Sequence, residues 1–310
     1  MGSDGYIDLQ VNGYAGTDFN DPSVGMEQIH GAVRRLRHDG TAKILATVVT
    51  ASPENMIACL RNLVAARVGD PLTAEVIAGF HIEGPFISPE AGYRGAHLAE
   101  AIRMADRDLA AKLLEAGAGL VRLFTLAPER DPGGRVTRWL ADHGVRVAAG
   151  HTNASLDELQ SCMGQGLTLF THLGNGCPMQ MHRHDNIIQR ALSLRRDLHY
   201  GLIADGAHLP PFVLRNIIDL AGISRCFAVT DAISAAGLGP GIYTLGGQTV
   251  NVDQTQVVWA ADRSHFVGSA ANMGRCAAVL AGAGFSREEM DALLIHNPAR
   301  IIGFPTNILK

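Results

Sequence analysis

The chain is 310 residues long, with 26 Lys and Arg against 30 Asp and Glu, 13 His and a formal net charge of −4. A hydrophobic content of 47% with 18% charged residues excludes disorder, and the length corresponds to one large domain or two ordinary ones with ample core. No run of Lys or Arg marks a nucleic-acid or anionic-membrane surface, so neither partner is expected.

At the N-terminus, Met1-Gly2-Ser3 reads as an expression remnant, and MGSDGYIDLQ has neither the basic n-region nor the apolar h-region of a signal peptide. No apolar stretch approaches the roughly 18 residues of a membrane span. The five cysteines (Cys59, Cys162, Cys177, Cys226 and Cys276) contain no CxxC pair, and an odd count argues against a disulfide framework. A cytoplasmic protein in a reducing compartment is expected.

Short apolar runs then recur along the chain: Tyr6–Val11, Ile44–Val49, Val76–Ile82, Leu120–Leu126, Val145–Ala149, Leu167–Thr171, Tyr200–Ala204 and Cys226–Thr230. Several are rich in Val, Ile or Phe, which predicts buried strands. Their spacing of about 32 residues is that of a strand plus a crossover helix. Between them, Ser23–His38 places Met26, Ile29, Val33 and Leu36 at three- and four-residue spacing, and Pro53–Val68 follows Ser52 as an N-cap. Leu109–Ala116, Arg135–His143, Leu156–Gly164 and Pro211–Leu220 repeat the pattern. This alternation predicts an α/β protein, a (β/α)8 TIM-type barrel forming one catalytic domain over residues 1–310. An open doubly wound sheet is the alternative, disfavoured by the lack of a Gly-rich phosphate fingerprint. After the eighth strand a β excursion is expected at about 241–268, made of Ile242–Val252 and Val257–Ala260 with turns at Gly246-Gly247 and Asp253-Gln254. C-terminal helices are expected at about 271–302: Ala271–Ala281, Ser286–Ile295 and a short one from Pro298.

Barrel chemistry lies at the C-terminal ends of the strands, and five of the later ends carry a carboxylate or an imidazole. They are His81-Ile82-Glu83, Gly150-His151, Thr171-His172, Asp205-Gly206-Ala207-His208 and Thr230-Asp231. Glu83 leaves an apolar strand before Gly-Pro, costly for a carboxylate without a partner. His151 and His172 end adjacent strands and face one point, as a first-row metal requires. Three ligands leave a position open for water, and Asp231 is then the group that takes and returns the proton. The reaction class is metal-assisted hydrolysis of an amide or ester. His81 reads as a packing or supporting group, and His97 is either a site residue or a solvated loop histidine. Arg183, in the run Met179–Asn186, overhangs the site and suits an anion. Cys177 is a nucleophile candidate without a reason for a lowered pKa. His38, His143, His265 and His296 read as surface or structural residues.

These residues resemble the N-acetylglucosamine-6-phosphate deacetylases of the amidohydrolase superfamily, from Tyr6 to about Ile302. The matching segments are IDLQVNGYAGTDFND (7–21), HIEGPFIS (81–88), TLAPE (125–129), GHTNAS (150–155), THLGNGCP (171–178), GLIADGAHL (201–209), VTDA (229–232) and VGSAANM (267–273). The resemblance implies Glu83, His151 and His172 as ligands of one divalent metal per subunit, zinc or iron(II), and Asp231 as general base and acid. It implies His97 as the group polarising the acetyl carbonyl. It places His208 on the sugar and its phosphate, Asn175 with the Gly176 backbone on the phosphate turn, and Arg183 across a homodimer interface. The implied reaction is deacetylation of N-acetylglucosamine-6-phosphate to glucosamine-6-phosphate and acetate, a step of amino-sugar metabolism.

Three features depart from the pattern. Where many amidohydrolases carry HxH on strand one for a second metal, this chain has Asp8-Leu9-Gln10, so a single metal is expected. The small β-sandwich usual in the family is expected to be missing. After Arg183 the sequence reads His184-Asp185-Asn186 where a Glu-Pro-Gly-like turn is common. Alternatives are action on N-acetylgalactosamine-6-phosphate or another amide, and a catalytically silent sugar-phosphate-binding protein.

Overall fold

The computed structural model describes residues 5–245, 248–254, 256–260 and 266–304, so Met1-Gly2-Ser3, the Gly246-Gly247 turn and His265 lie outside the described residues. Eight parallel strands follow one another in chain order around a barrel: β1 (Tyr6–Val11), β2 (Thr41–Val49), β3 (Ile77–Glu83), β4 (Val121–Leu126), β5 (Arg146–Ala149), β6 (Leu167–Phe170), β7 (His199–Ile203) and β8 (Cys226–Val229). Around them lie α1 (Met26–His38), α2 (Pro53–Gly69), α3 (Pro71–Val76), α4 (Arg107–Ala116), α5 (Arg135–Asp142), α6 (Leu156–Met163), α7 (Ile187–Ser193) and α8 (Pro211–Ala221). Four antiparallel strands, β9 (Gly241–Leu245), β10 (Gln248–Val252), β11 (Val257–Ala260) and β12 (Phe266–Ser269), form the excursion. The chain closes with α9 (Met273–Gly282), α10 (Arg287–Asp291) and α11 (Asn297–Ile302), the last two joined by a π turn at Ala292–His296. No helix among the described residues is long and apolar enough to cross a membrane.

Local chemistry sets the helix starts. Ser52 caps α2 by accepting from the Asn55 amide, with Pro53 pre-set at the first position. Ser155 and Glu158 form a reciprocal capping box on α6. Two helices escape a periodicity search because they are short. α3 follows α2 directly through Asp70-Pro71, with Asp70 as its cap, and α7 begins at the Asn186 cap inside what reads as a solvated loop.

The barrel interior alternates with the pleat. Leu45, Leu123, Leu169, Ile203 and Val229 belong to one buried cluster that Ala299, Ile301 and Ile302 of α11 complete. Two residues further along the chain, at or just past the strand ends, come Thr47, Thr125, Thr171, Asp205 and Asp231. The lumen is therefore apolar at one end and polar at the other, and the polar end carries the chemistry.

Between β1 and β8 a side-chain staple takes over from a regular ladder. Beyond a single bridge from Val11 to Ala232, Asp8 Oδ1 accepts the Thr230 amide at 3.2 Å, and Thr230 Oγ1 donates to Asp8 Oδ2 at 2.5 Å. The open-sheet alternative is thereby excluded. Burial pushes the Asp8 carboxyl up to about 7 against the hydrogen bonds from Thr230 and Gln10. A carboxyl raised in the folded state stabilises fully below its unfolded value of 3.8, and that contribution is lost as pH rises through about 7. Chemical denaturation is therefore expected to find the wild type losing stability between about pH 4 and pH 7 relative to Asp8→Asn, whose amide does not titrate. A difference that stays flat over that range contradicts the staple's titration.

Candidate active site and metal centre

Glu83 is the last residue of β3, and His151, His172 and Asp231 each lie two residues beyond their strand ends. These last three have φ of 49°, 32° and 53°, half of the six non-glycine residues with positive φ among those described. Left-handed backbone costs such residues about 1–3 kcal/mol and persists where the surroundings over-determine it. Gly150 and Thr171 occupy the in-phase positions of their strands, so the left-handed step at the next residue is what swings each imidazole back over the barrel mouth.

There the donors converge. Glu83 Oε1 lies 3.1 Å from His151 Nε2 and 2.8 Å from His172 Nε2, and the two ring nitrogens are 3.1 Å apart. His97 joins them, its Nε2 3.2 Å from His151 Nε2, so it is a half-buried member of the cluster and not a solvated loop histidine. Glu83, His97 and His151 together form a group able to hold a metal ion. His151 Nδ1 donates to the Tyr93 carbonyl at 2.8 Å, which leaves the Nε2 lone pair facing a carboxylate oxygen and two further ring nitrogens. Acceptors so arranged repel unless a cation or proton lies between them. Ligands about 2.0–2.1 Å from a tetrahedral ion stand about 3.3 Å apart, close to the observed spacing. The residues thus fit a small divalent cation.

The surroundings orient this set. Gln10 Nε2 donates to Glu83 Oε2 at 3.1 Å, and Asn12 Nδ2 donates to Asp231 Oδ1 at 2.7 Å. The β1 register shifts between Asp8 and Val11, so Asp8 turns to Thr230 while Gln10 and Asn12 face the site. The pair that faces the two carboxylates of the site is accordingly Gln10 and Asn12, a correction to Asp8-Leu9-Gln10. Asn12 was missed in the sequence, although its spacing of two from Gln10 was the available signal. His81 Nε2 binds Thr125 Oγ1 at 2.7 Å, which in turn binds Thr171 Oγ1 at 2.6 Å, and burial lowers the imidazole to about 4. It is a supporting group beneath Glu83, as the sequence suggests.

Electrostatics separates the two carboxylates. Burial would raise Glu83, but the hydrogen bonds and charges of His151 and His172 hold it well below the usual carboxylate range. Asp231 moves the other way: burial and the Glu83 charge push it up, against His172, Asn12 and His208. Two carboxyls driven apart at one site are the pattern of a ligand beside an acid–base group.

Asn175 and Gly176 follow His172 on a turn, where the Asn175 Nδ2 is buried without a hydrogen-bond partner among the described residues. Gly176, at φ 60°, approaches His151 so closely that a Cβ would stand 2.8 Å from its Nδ1. His208 Nδ1 is held by Asp205 Oδ2 at 2.7 Å. Arg183 is exposed on a loop braced by the amide of Asp185 on His182 Nδ1 (2.9 Å), by Asn186 Nδ2 on the His182 carbonyl (2.9 Å) and by Arg190 Nε on Asp185 (2.6 Å). The departure after Arg183 thus builds its own turn. Burial pushes the Cys177 thiol above its ordinary range, the reverse of what a nucleophile needs.

No family model matches the chain. Curated relatives do: the N-acetylglucosamine-6-phosphate deacetylase of Bos taurus is 36% identical over 311 residues, covering 96% of this chain and 74% of that protein. The chain belongs to the N-acetylglucosamine-6-phosphate deacetylase family. Its Bacillus subtilis member is 35% identical over 255 residues, 80% of this chain and 62% of its own length. Among solved members, a mutant Mycobacterium smegmatis deacetylase in complex with N-acetyl-D-glucosamine-6-phosphate superposes with a TM-score of 0.85 at 30% identity, covering 97% of this chain and 77% of that one. The Thermotoga maritima deacetylase gives 0.82 at 27%, covering 96% and 78%. The 5-methylcytosine deaminase of Klebsiella pneumoniae, at 14% identity and 0.53, shares the fold alone.

Proposed function

We propose that the protein hydrolyses the acetamide of N-acetylglucosamine-6-phosphate, giving acetate and glucosamine-6-phosphate, as a cytoplasmic step of amino-sugar metabolism. The observation that carries this reading is the convergence of Glu83 Oε1, His151 Nε2 and His172 Nε2 within 3.1 Å of one another, beside a separately held Asp231. Those three residues would hold one divalent ion, zinc or iron(II), which when bound would polarise the amide carbonyl and acidify water. Asp231 takes the proton of the attacking water on its carboxylate and delivers it to the amine nitrogen as the C–N bond breaks. Its raised affinity for protons suits both transfers, and Asn12 keeps Oδ1 aimed. His97 meets the acetyl oxygen. Asn175 Nδ2, the Gly176 amide and His208 receive the sugar phosphate, with Arg183 supplied by a neighbouring subunit of a homodimer.

The test is acetate release from N-acetylglucosamine-6-phosphate beside unphosphorylated N-acetylglucosamine. Fast turnover of the phosphorylated sugar alone is expected. Arg183→Ala removes a charge-assisted hydrogen bond worth about 1.5–3 kcal/mol, so KM for the phosphorylated sugar should rise about 10- to 100-fold with little change for the plain one. Equal turnover of both sugars by the wild type would refute the phosphate assignment.

A further inference from the structure

Glu129 is half-buried, and the acid–base chemistry above does not use it. It sits on the 3-10 turn Pro128–Arg130 just beyond β4. Its Oε1 accepts the amide of Asn153 at 2.9 Å, and its Oε2 accepts the hydroxyl of Thr152. No ion pair to Glu129 is present among the described residues. A carboxylate is costly to bury without a cation, and the two donors it meets are those of the residues directly following His151.

We infer that Glu129 is a positioning residue for the reaction, gripping Thr152 and Asn153 so that the left-handed backbone of His151 keeps its imidazole on the metal. The inference rests on the reading of His151 as a ligand.

The segment is held from every side. Thr152 Oγ1, donating to Glu129, accepts the Ala154 amide at 2.9 Å. From α7, Arg190 Nη1 donates to the Asn153 carbonyl at 3.2 Å, to its side-chain oxygen at 3.3 Å and to the Ala154 carbonyl at 3.1 Å. The Ser88 amide donates to the His151 carbonyl at 2.9 Å, and the Tyr93 carbonyl takes the ring proton. Glu129 is the member that meets two donors at once, an O–H and an N–H. Both need acceptors, which a carboxylate supplies with its two oxygens. A glutamine keeps its oxygen for the Asn153 amide but turns an NH2 toward Thr152 Oγ1, which must then accept where it had donated, so the charge-assisted grip is lost and the His151 backbone is freer to relax toward an ordinary φ.

The experiment titrates metal-free Glu129→Gln with cobalt(II), reading dissociation constant and visible spectrum, and then measures turnover at saturating metal. Groups that orient a ligating imidazole typically carry 10- to 100-fold in metal affinity. A cobalt Kd raised about 10- to 100-fold is expected, with an altered spectrum, a lower kcat and KM near that of the wild type. Glu129→Asp, which keeps two acceptor oxygens, should recover part of the affinity. Thr152→Val removes one of the two grips, and should raise Kd by less with the fold intact, a second reading if Glu129→Gln does not fold. Folded Glu129→Gln with the wild-type Kd and spectrum would overturn the inference. Unchanged cobalt binding by His151→Ala would instead sink the ligand assignment, a failure visible without any change at Glu129.

Discussion

Asp231→Asn is expected to lower kcat for acetate release by about 10²- to 10⁴-fold, the usual worth of a positioned acid–base group, with metal content and fold unchanged. Asparagine has the shape of aspartate, and its side-chain oxygen can still accept from Asn12 Nδ2, now 2.7 Å from Asp231 Oδ1. The variant also leaves untouched the Thr230–Asp8 staple that fixes the preceding residue. What it removes is the capacity to bind a proton. Glu83 cannot substitute, because two imidazoles hold its carboxyl well below the usual range and both its oxygens are engaged. KM should change little, since Asp231 is not assigned to ground-state binding. Steady-state kinetics with elemental analysis of the same sample checks this, and turnover at the wild-type rate would contradict the assigned proton path.

The barrel and the cluster of ionisable groups at its mouth were legible in the sequence for one reason: a parallel strand buried on both faces writes a continuous apolar run, and ionisable residues at its end stand out. Glu83, His151, His172 and Asp231 were found that way, and the strand limits moved by no more than about three residues at either end. What stayed hidden depends on contacts between segments far apart. Asn12 looks like an ordinary turn residue until its amide is seen 2.7 Å from a carboxylate 219 positions away. Asp8 resembles half of a metal motif, and only the register shift in β1 reveals that it faces β8. Glu129 lies within a recognised segment, yet nothing local announces that its partners are Thr152 and Asn153. His97, with solvent and site equally open to it in the sequence, lies against the cluster, 3.2 Å from His151. α3 and α7 are too short to express a hydrophobic period, and their caps, Asp70 and Asn186, are residues equally common in turns.

Glu83→Gln is expected to abolish turnover through loss of the ion. The metal group here combines one carboxylate with imidazoles, and the carboxylate is what offsets the cation's charge in a buried site. An amide oxygen is a much weaker ligand, and its NH2 would confront either the Gln10 side-chain amide, at 3.1 Å from Oε2 in the wild type, or the histidine nitrogens at 2.8 and 3.1 Å from Oε1. Dialysis that leaves the wild type loaded should therefore strip the variant, and acetate release should fall to background. The wild type treated with a chelator should reach the same state and recover on adding zinc or iron(II), whereas Glu83→Gln should not. Read beside Asp231→Asn, which keeps its metal and loses turnover, this pair separates the two carboxylates: one holds the ion, the other moves the proton. Retention of metal and activity by Glu83→Gln would assign the ion to other donors, with His151 and His172 as the nearest remaining pair, 3.1 Å apart.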